Sequence, residues 1–327
     1  MLNRARITGT GSCLPDKILT NKDLEKIIDT NDEWIVSRTG IRERRIAADG
    51  EFTSDLATKA ARNALDMAGV QPSEIDLIIL GTISADYPWP STACIVQQNL
   101  GAKNAAAYDL SAACSGFVYA LSMATAQIES GQIKKALVIG AETLSRIIDW
   151  EDRNTCVLFG DAAGAVVLEA QPGDQGILST HLHSDGSYFN LLYQPGFGTR
   201  HMPTPEAMQD RNYFLKMQGN EVFKVAVRML TEVAQEAVAH NGMTMTDVDL
   251  FIPHQANIRI LEATAKRLGL PEDKVYINVD RFGNTSAATI PVALDEANRA
   301  GRIKPNDILL FDAFGGGFTW GSALVRW

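Results

Sequence analysis

Two stretches of the chain share one pattern of apolar and polar positions. Residues 64 to 80, ALDMAGVQPSEIDLIIL, align without a gap with residues 237 to 253, AVAHNGMTMTDVDLFIP, at an offset of 173. Ala64/Ala237, Gly69/Gly242, Asp76/Asp249 and Leu77/Leu250 are identical. Each copy reads as the end of a helix, a terminating glycine, a short polar loop and a buried strand. The match continues downstream. Gly131-Gln132-Ile133-Lys134, before an apolar strand at 136–140, corresponds to Gly301-Arg302-Ile303-Lys304 before a strand at 307–311. Phe159-Gly160 leading into 164–168 corresponds to Phe314-Gly315 leading into 321–325. Four pairs in one order predict two α/β halves, 1–170 and 217–327, that share a core about a pseudo-twofold axis, because two repeats are too few for a solenoid. Residues 171–216, with Pro172-Gly173, Pro195-Gly196-Phe197-Gly198 and Pro203-Thr204-Pro205, read as an irregular connection that lines the active site.

Functional residues are expected where the halves meet. Cys114 ends the stretch Asp109-Leu110-Ser111-Ala112-Ala113-Cys114, after a strand at 108–110 and before Gly116 to Gln127, whose Phe117, Leu121 and Ala124 fall at helical spacing. A thiol at a helix amino terminus is expected to gain thiolate character from the helix dipole. Cys13, Cys94 and Cys156 read as structural, and the four cysteines have neither paired spacing nor a Cys-x-x-Cys motif. His254 follows Val248 to Pro253 at the carboxyl end of a strand, where α/β folds place ligands. Asn284 lies in Gly283-Asn284-Thr285-Ser286 before a helix at 287–297, where a capping role and a chemical one are both open. Gly315-Gly316-Gly317 exposes backbone amides suited to an oxyanion hole, and no Lys-Ser/Thr follows it as a phosphate loop requires. Gly9-x-Gly11 is a weak dinucleotide fingerprint. His181 and His183 alternate on a strand-like segment without a third ligand, so no metal site is expected. His201 and His240 read as surface residues.

Composition narrows the class. With 327 residues, 46% of them apolar, the chain can bury one or two sizeable cores. No apolar run reaches the ~20 residues of a membrane span, and the amino terminus lacks the apolar segment of a signal peptide, so a cytoplasmic protein is expected. A formal charge of −9 argues against non-specific nucleic-acid binding.

Jointly, Ala113-Cys114-Ser115-Gly116-Phe117, His254-Gln255-Ala256-Asn257-Ile258-Arg259-Ile260, Gly283-Asn284-Thr285-Ser286-Ala287, FGGGFTWGSALVRW at 314–327, and Trp34-Ile35 with Arg38-Thr39-Gly40-Ile41 and Arg44-Arg45 resemble β-ketoacyl-acyl-carrier-protein synthase III over nearly the whole chain. The resemblance implies a thiolase-like α/β fold, a five-layered αβαβα arrangement of duplicated halves, and a homodimer. It implies a decarboxylating Claisen condensation that starts type II fatty acid synthesis. Cys114 would take an acyl group, typically acetyl, from acyl-coenzyme A. Malonyl-acyl carrier protein would then lose carbon dioxide, with neutral His254 and Asn284 donating to the enolate and the amides of Cys114 and Gly316 holding the tetrahedral oxyanion. No metal or resident cofactor is implied, since coenzyme A enters as a substrate.

By the same residue matching, Trp34 and Arg153 would sandwich the adenine of coenzyme A, and Thr30, Arg38, Gly219, Phe223 and Asn257 would line the rest of its tunnel. Lys224, Arg259, Lys266 and Arg267 would receive the acidic carrier protein. Leu144, Phe159 and Phe314 would wall the acyl pocket. Trp89 stands where a Phe usually closes that pocket from the neighbouring subunit, which predicts short, straight primers. Ala162 replaces a more usual Gly. A related synthase of quinolone, polyketide-starter or ester formation is the alternative. Papain-like proteases share the order Cys, His, Asn, but the mid-chain nucleophile, the missing Cys-Gly-Ser-Cys-Trp signature and the duplication exclude that class. The intact set of three residues argues against a silent scaffold.

Overall fold

The computed structural model describes residues 3–196, 198–202, 204–209 and 211–327. Phe197 and Pro203, two of the turn residues named above, lie outside the described residues. Asn3–Cys13 (β1) leads to a two-stranded sheet of Lys17–Thr20 (β2) and Glu43–Ile46 (β3), between which lie Asn21–Leu24 (α1) and Asp32–Thr39 (α2). Thr53–Ala68 (α3), Leu77–Gly81 (β4), Thr92–Leu100 (α4), Ala106–Leu110 (β5), Gly116–Glu129 (α5), Lys135–Thr143 (β6) and Asp161–Pro172 (β7) follow. The resulting sheet has the order β1-β7-β6-β4-β5.

Gly176–Ser184 (β8) opens the second unit, followed by Leu192–Tyr193 (β9), Pro205–Gln209 (α6) and Lys216–Met217 (β10), with β9 and β10 paired antiparallel. Then come Gly219–His240 (α7), Leu250–Pro253 (β11), Ile258–Leu268 (α8), Val279–Phe282 (α9), Thr289–Arg299 (α10), Ile308–Gly315 (β12) and Thr319–Arg326 (β13). Their sheet has the order β8-β13-β12-β11, and Val275 bridges Phe251 beyond β11, where β5 stands in the first sheet. The stretch 171–216 is therefore not irregular throughout. It holds β8, whose alternating side chains pair along β13 from Gly176/Arg326 to Ser184/Thr319.

Alternation along the strands builds the layers. Leu77 and Ile79 of β4 join Phe117 and Leu121 of α5, Ile290 and Leu294 of α10, and Ile252, Leu309 and Phe311 of the second sheet in one core between the sheets. Ile78 and Leu80 face the other way, onto Leu56, Ala60 and Ala64 of α3 and Val96 of α4. Phe251, Leu310 and Leu324 likewise face Ala234 and Val238 of α7 and Leu268 of α8. The order is helices, sheet, α5 with α10, sheet, helices. A strand buried on both faces needs apolar residues at successive positions, which is why the runs at 77–80 and 250–252 show no polar alternation.

The repeated aspartates have a common task. Asp76 Oδ2 accepts the Lys135 amide at 3.0 Å, and Asp249 Oδ2 accepts the Ile308 amide at 2.8 Å. Each ties the start of one strand to the next at the offset of the repeat. Between the halves, the Thr10 and Ser12 hydroxyls of β1 each donate to Asp295 of α10 at 2.7 Å.

Candidate active site

Cys114 sits in a 3-10 turn, Ala113–Ser115, between β5 and α5. Ala113 has φ +47°, a left-handed conformation that costs a residue with a Cβ on the order of 1 kcal/mol and is held by its surroundings. The Ser115 hydroxyl donates to Thr319 O and the Thr319 hydroxyl to Ala112 O, both at 2.9 Å, which clamps the turn to the start of β13. A Cβ on Gly315 would lie 2.6 Å from the Cys114 nitrogen, so the glycine run lets β12 approach Cys114. The thiol is buried, and burial pushes it up to about 12. Desolvation therefore opposes the thiolate character expected from the helix terminus.

His254 and Asn284 reach the same place from the second half. The His254 amide donates to Asp312 O of β12 at 2.8 Å, and its Nδ1 lies 2.7 Å from the Thr289 hydroxyl at the start of α10. Burial lowers the imidazole to about 3, so it is neutral at physiological pH. Gln255 braces the loop: its Nε2 donates to Pro253 O and Tyr276 O, and its Oε1 accepts the Asn278 amide. Asn257 caps α8, accepting the Ile260 amide at 3.1 Å.

Asn284 is pinned by backbone bonds from its own amide to Leu158 O, at 2.8 Å, and from the Gly160 amide to its carbonyl, at 3.0 Å. Its Oδ1 accepts the Ser286 amide at 2.8 Å. One end of the carboxamide therefore does cap a turn, while Nδ2 donates to none of the described residues. Ser286 has φ +50° and stands 173 residues after Ala113, so the turn that carries Cys114 has its counterpart beside Asn284.

A cavity of about 550 Å³ contains Cys114, His254 and Asn284 at its buried end and Arg38, Lys224 and Arg259 at its exposed end. Gly219, Phe223 and Asn257 line it as well. A second cavity of about 430 Å³, lined by Ile83, Leu144, Ser286 and Gly316, shares Cys114, Phe159 and Leu192 with the first. Cys114 is where the two meet. Leu192 and Tyr193 bring the connection between the halves to this junction.

Comparisons with known proteins agree over this whole frame. Residues 108–186 match the family model described as 3-oxoacyl-acyl-carrier-protein synthase III, and residues 238–327 match its C-terminal model. A β-ketoacyl-acyl-carrier-protein synthase III of Thioalkalivibrio sulfidiphilus is 57% identical over 323 residues, 98% of this chain and 99% of that relative. The chain belongs to the β-ketoacyl-acyl-carrier-protein synthase III family. The crystal structure of the 3-oxoacyl-acyl-carrier-protein synthase III of Aquifex aeolicus superposes with a TM-score of 0.92 at 50% identity, over 99% of this chain and 100% of that one. The priming β-ketosynthase of the R1128 polyketide pathway gives a TM-score of 0.93 at 35% identity, over 99% and 96%. This synthase is thus an acyltransferase-type condensing enzyme of fatty acid synthesis with the thiolase-like fold.

Not every residue named from the sequence stands where expected in the synthase. Phe314 lines the larger cavity and not the smaller one, because on β12 its side chain points with Leu310 toward α7, where it meets Phe318 at 4.6 Å. Trp89 is 83% exposed and lines neither cavity of its own chain. Thr30 also lines neither, and its buried hydroxyl has no hydrogen-bond partner among the described residues. Trp34 carries Arg38 and Arg153 each 4.8 Å from its ring centroid, beside a hollow of about 370 Å³ lined by Trp34, Arg38 and Gly219. Lys224 pairs with Glu221 at 2.9 Å and Arg259 lies over Phe223 at 5.5 Å, whereas Lys266 and Arg267 are exposed in the last turn of α8. His181 and His183 of β8 share the Glu236 carboxylate at 3.2 and 2.6 Å.

The sequence alone assigns no role to three further residues at the site. Thr289 touches His254, Ser286 orients Asn284, and Glu142, wholly buried, accepts from Thr82, Ile83 and Ser84 while facing the Ser286 hydroxyl. Burial raises the Glu142 carboxyl to about 7. The offset of 173, carried on from Ala113, would have singled out Ser286.

Proposed function

We propose that the synthase joins an acyl-coenzyme A primer, acetyl in the first instance, to malonyl-acyl carrier protein by a two-stage exchange at Cys114. Coenzyme A extends through the larger cavity past Asn257, Phe223 and Gly219, with its adenine between Trp34 and Arg153 and its acyl group in the smaller one. The Cys114 sulfur attacks the thioester carbonyl, the amides of Cys114 and Gly316 hold the oxyanion, and the carbon–sulfur bond to coenzyme A breaks. This is thiol-for-thioester exchange. The Cys114 proton leaves with coenzyme A, so a thiol raised to about 12 requires no net proton release.

Malonyl-acyl carrier protein, guided by Lys224, Arg259, Lys266 and Arg267, then occupies the vacated cavity. Loss of carbon dioxide leaves an enolate whose oxygen accepts from His254 Nε2–H and Asn284 Nδ2–H. Its carbon attacks the Cys114 thioester, 3-oxoacyl-acyl carrier protein departs, and the cysteine sulfur takes a proton from water. A homodimer places Trp89 of one subunit at the acyl pocket of the other.

One observation carries this reading. A neutral imidazole and an amide whose Nδ2 donates to none of the described residues share the cavity of a buried thiol, and neutral donors are what an enolate needs. Steady-state turnover with malonyl-acyl carrier protein and straight, branched and medium-chain acyl-coenzyme A tests it. Fastest formation of 3-oxoacyl-acyl carrier protein from acetyl-coenzyme A is expected. Faster turnover of branched or medium-chain primers would overturn the primer assignment, and no condensation with any of them would overturn the reaction.

A further inference from the structure

The first residue of α10, Thr289, is buried, with its hydroxyl at the meeting point of two acceptors. Oγ1 lies 2.7 Å from His254 Nδ1 and 3.0 Å from Ser286 O. Ser286 O already accepts the amide of Thr289, which closes the turn Ser286–Ala288. His254 Nδ1 has no other partner among the described residues. A hydroxyl carries one proton. Given to Ser286 O, that proton would duplicate an existing bond and require Nδ1 to be protonated. Given to Nδ1, it serves an acceptor with no other donor across the shorter of the two distances, and the ring proton then sits on Nε2.

We propose that Thr289 is a positioning residue that selects the Nε2–H tautomer of His254 by donating to Nδ1, so that the imidazole presents a hydrogen-bond donor to the substrate. This rests on the reading of His254 given above. The turn at Ser286 then aims both donors at once. The Ser286 amide holds Asn284 Oδ1, which turns Nδ2 outward, and the Ser286 carbonyl anchors the residue that turns Nε2–H outward.

Nitrogen NMR of protein labelled with ¹⁵N-histidine reads the tautomer directly. Among the five histidines, His254 is assigned by its loss in His254→Ala. The expected signature is an unprotonated Nδ1 and a protonated Nε2. In Thr289→Val, which keeps the volume and removes the hydroxyl, the proton should spread over both nitrogens. Malonyl decarboxylation should fall roughly tenfold, the worth of one hydrogen bond. Thr289→Ser should restore both. A protonated Nδ1 in the wild type, or a Val variant with wild-type tautomer and rate, would overturn the proposal. So would equal losses in decarboxylation and in Cys114 acylation, which mark a merely structural role. Should the Val variant fail to fold, the wild-type spectrum still decides. Full decarboxylation by His254→Ala would instead overturn the role of His254 and leave the tautomer measurement standing.

Discussion

Asn284→Asp isolates the donor that the proposed condensation assigns to Nδ2. The backbone bonds to Leu158 and Gly160 do not involve the side chain, and an Asp Oδ1 can still accept the Ser286 amide at 2.8 Å, so the turn is retained. What changes is the atom facing the cavity: Nδ2–H becomes a carboxylate oxygen. Loss of one donor aimed at a developing oxyanion costs about 2.7 to 4 kcal/mol, or about 10²- to 10³-fold in rate. The carboxylate also repels the enolate in a buried site, so that range is a lower bound. Carbon dioxide release from malonyl-acyl carrier protein measures this stage, and intact mass of the acylated enzyme measures the other. The expected result is a loss of decarboxylation of at least that size with Cys114 still acylated. A loss below about tenfold, or equal losses in the two stages, would refute the assignment of Nδ2 to the enolate.

Alkylation of Cys114 by iodoacetamide should rise about tenfold per pH unit between about pH 7 and 10, because deprotonation is incomplete throughout that range. A plateau near neutrality, read by peptide mass spectrometry, would restore the dipole-stabilised thiolate. Gly140→Ala should destabilise the fold by about 3 kcal/mol, since a Cβ there would lie 2.1 Å from Ala287 O across the interface of the halves. An unchanged urea midpoint would show that the interface yields. Lys266→Glu should raise the KM for malonyl-acyl carrier protein several-fold while leaving the KM for acyl-coenzyme A in place, since Lys266 lines neither cavity at Cys114. A change confined to acyl-coenzyme A would contradict a carrier-protein surface.

What could be read in the sequence follows the reach of each signal. Asp76 and Asp249 mark equivalent strand starts because their carboxylates bind the chain locally, and the apolar runs beside them show burial on two faces. β8 escaped assignment to the second sheet because its partner β13 lies at the far end of the chain, and pairing across that distance leaves no local trace. The raised Cys114 was hidden for a similar reason. Its helix amino terminus is visible in Cys114-Ser115-Gly116-Phe117, whereas the desolvation that opposes it comes from both halves closing on the thiol. Thr289 and Ser286 carry no local mark of a chemical role, and only the fold sets one against His254 and the other against Asn284. Phe314 is assigned to the acyl pocket by resemblance alone, and packing against α7 decides which face of β12 its side chain takes.

The central claim is that Cys114 carries the primer between the two stages. Intact-protein and peptide mass spectrometry after mixing with acetyl-coenzyme A, in the absence of malonyl-acyl carrier protein, tests it most directly. A single acetyl adduct on Cys114 is predicted, absent in Cys114→Ala and discharged on addition of malonyl-acyl carrier protein. Condensation without such an adduct, or an adduct that malonyl-acyl carrier protein does not discharge, would contradict the account.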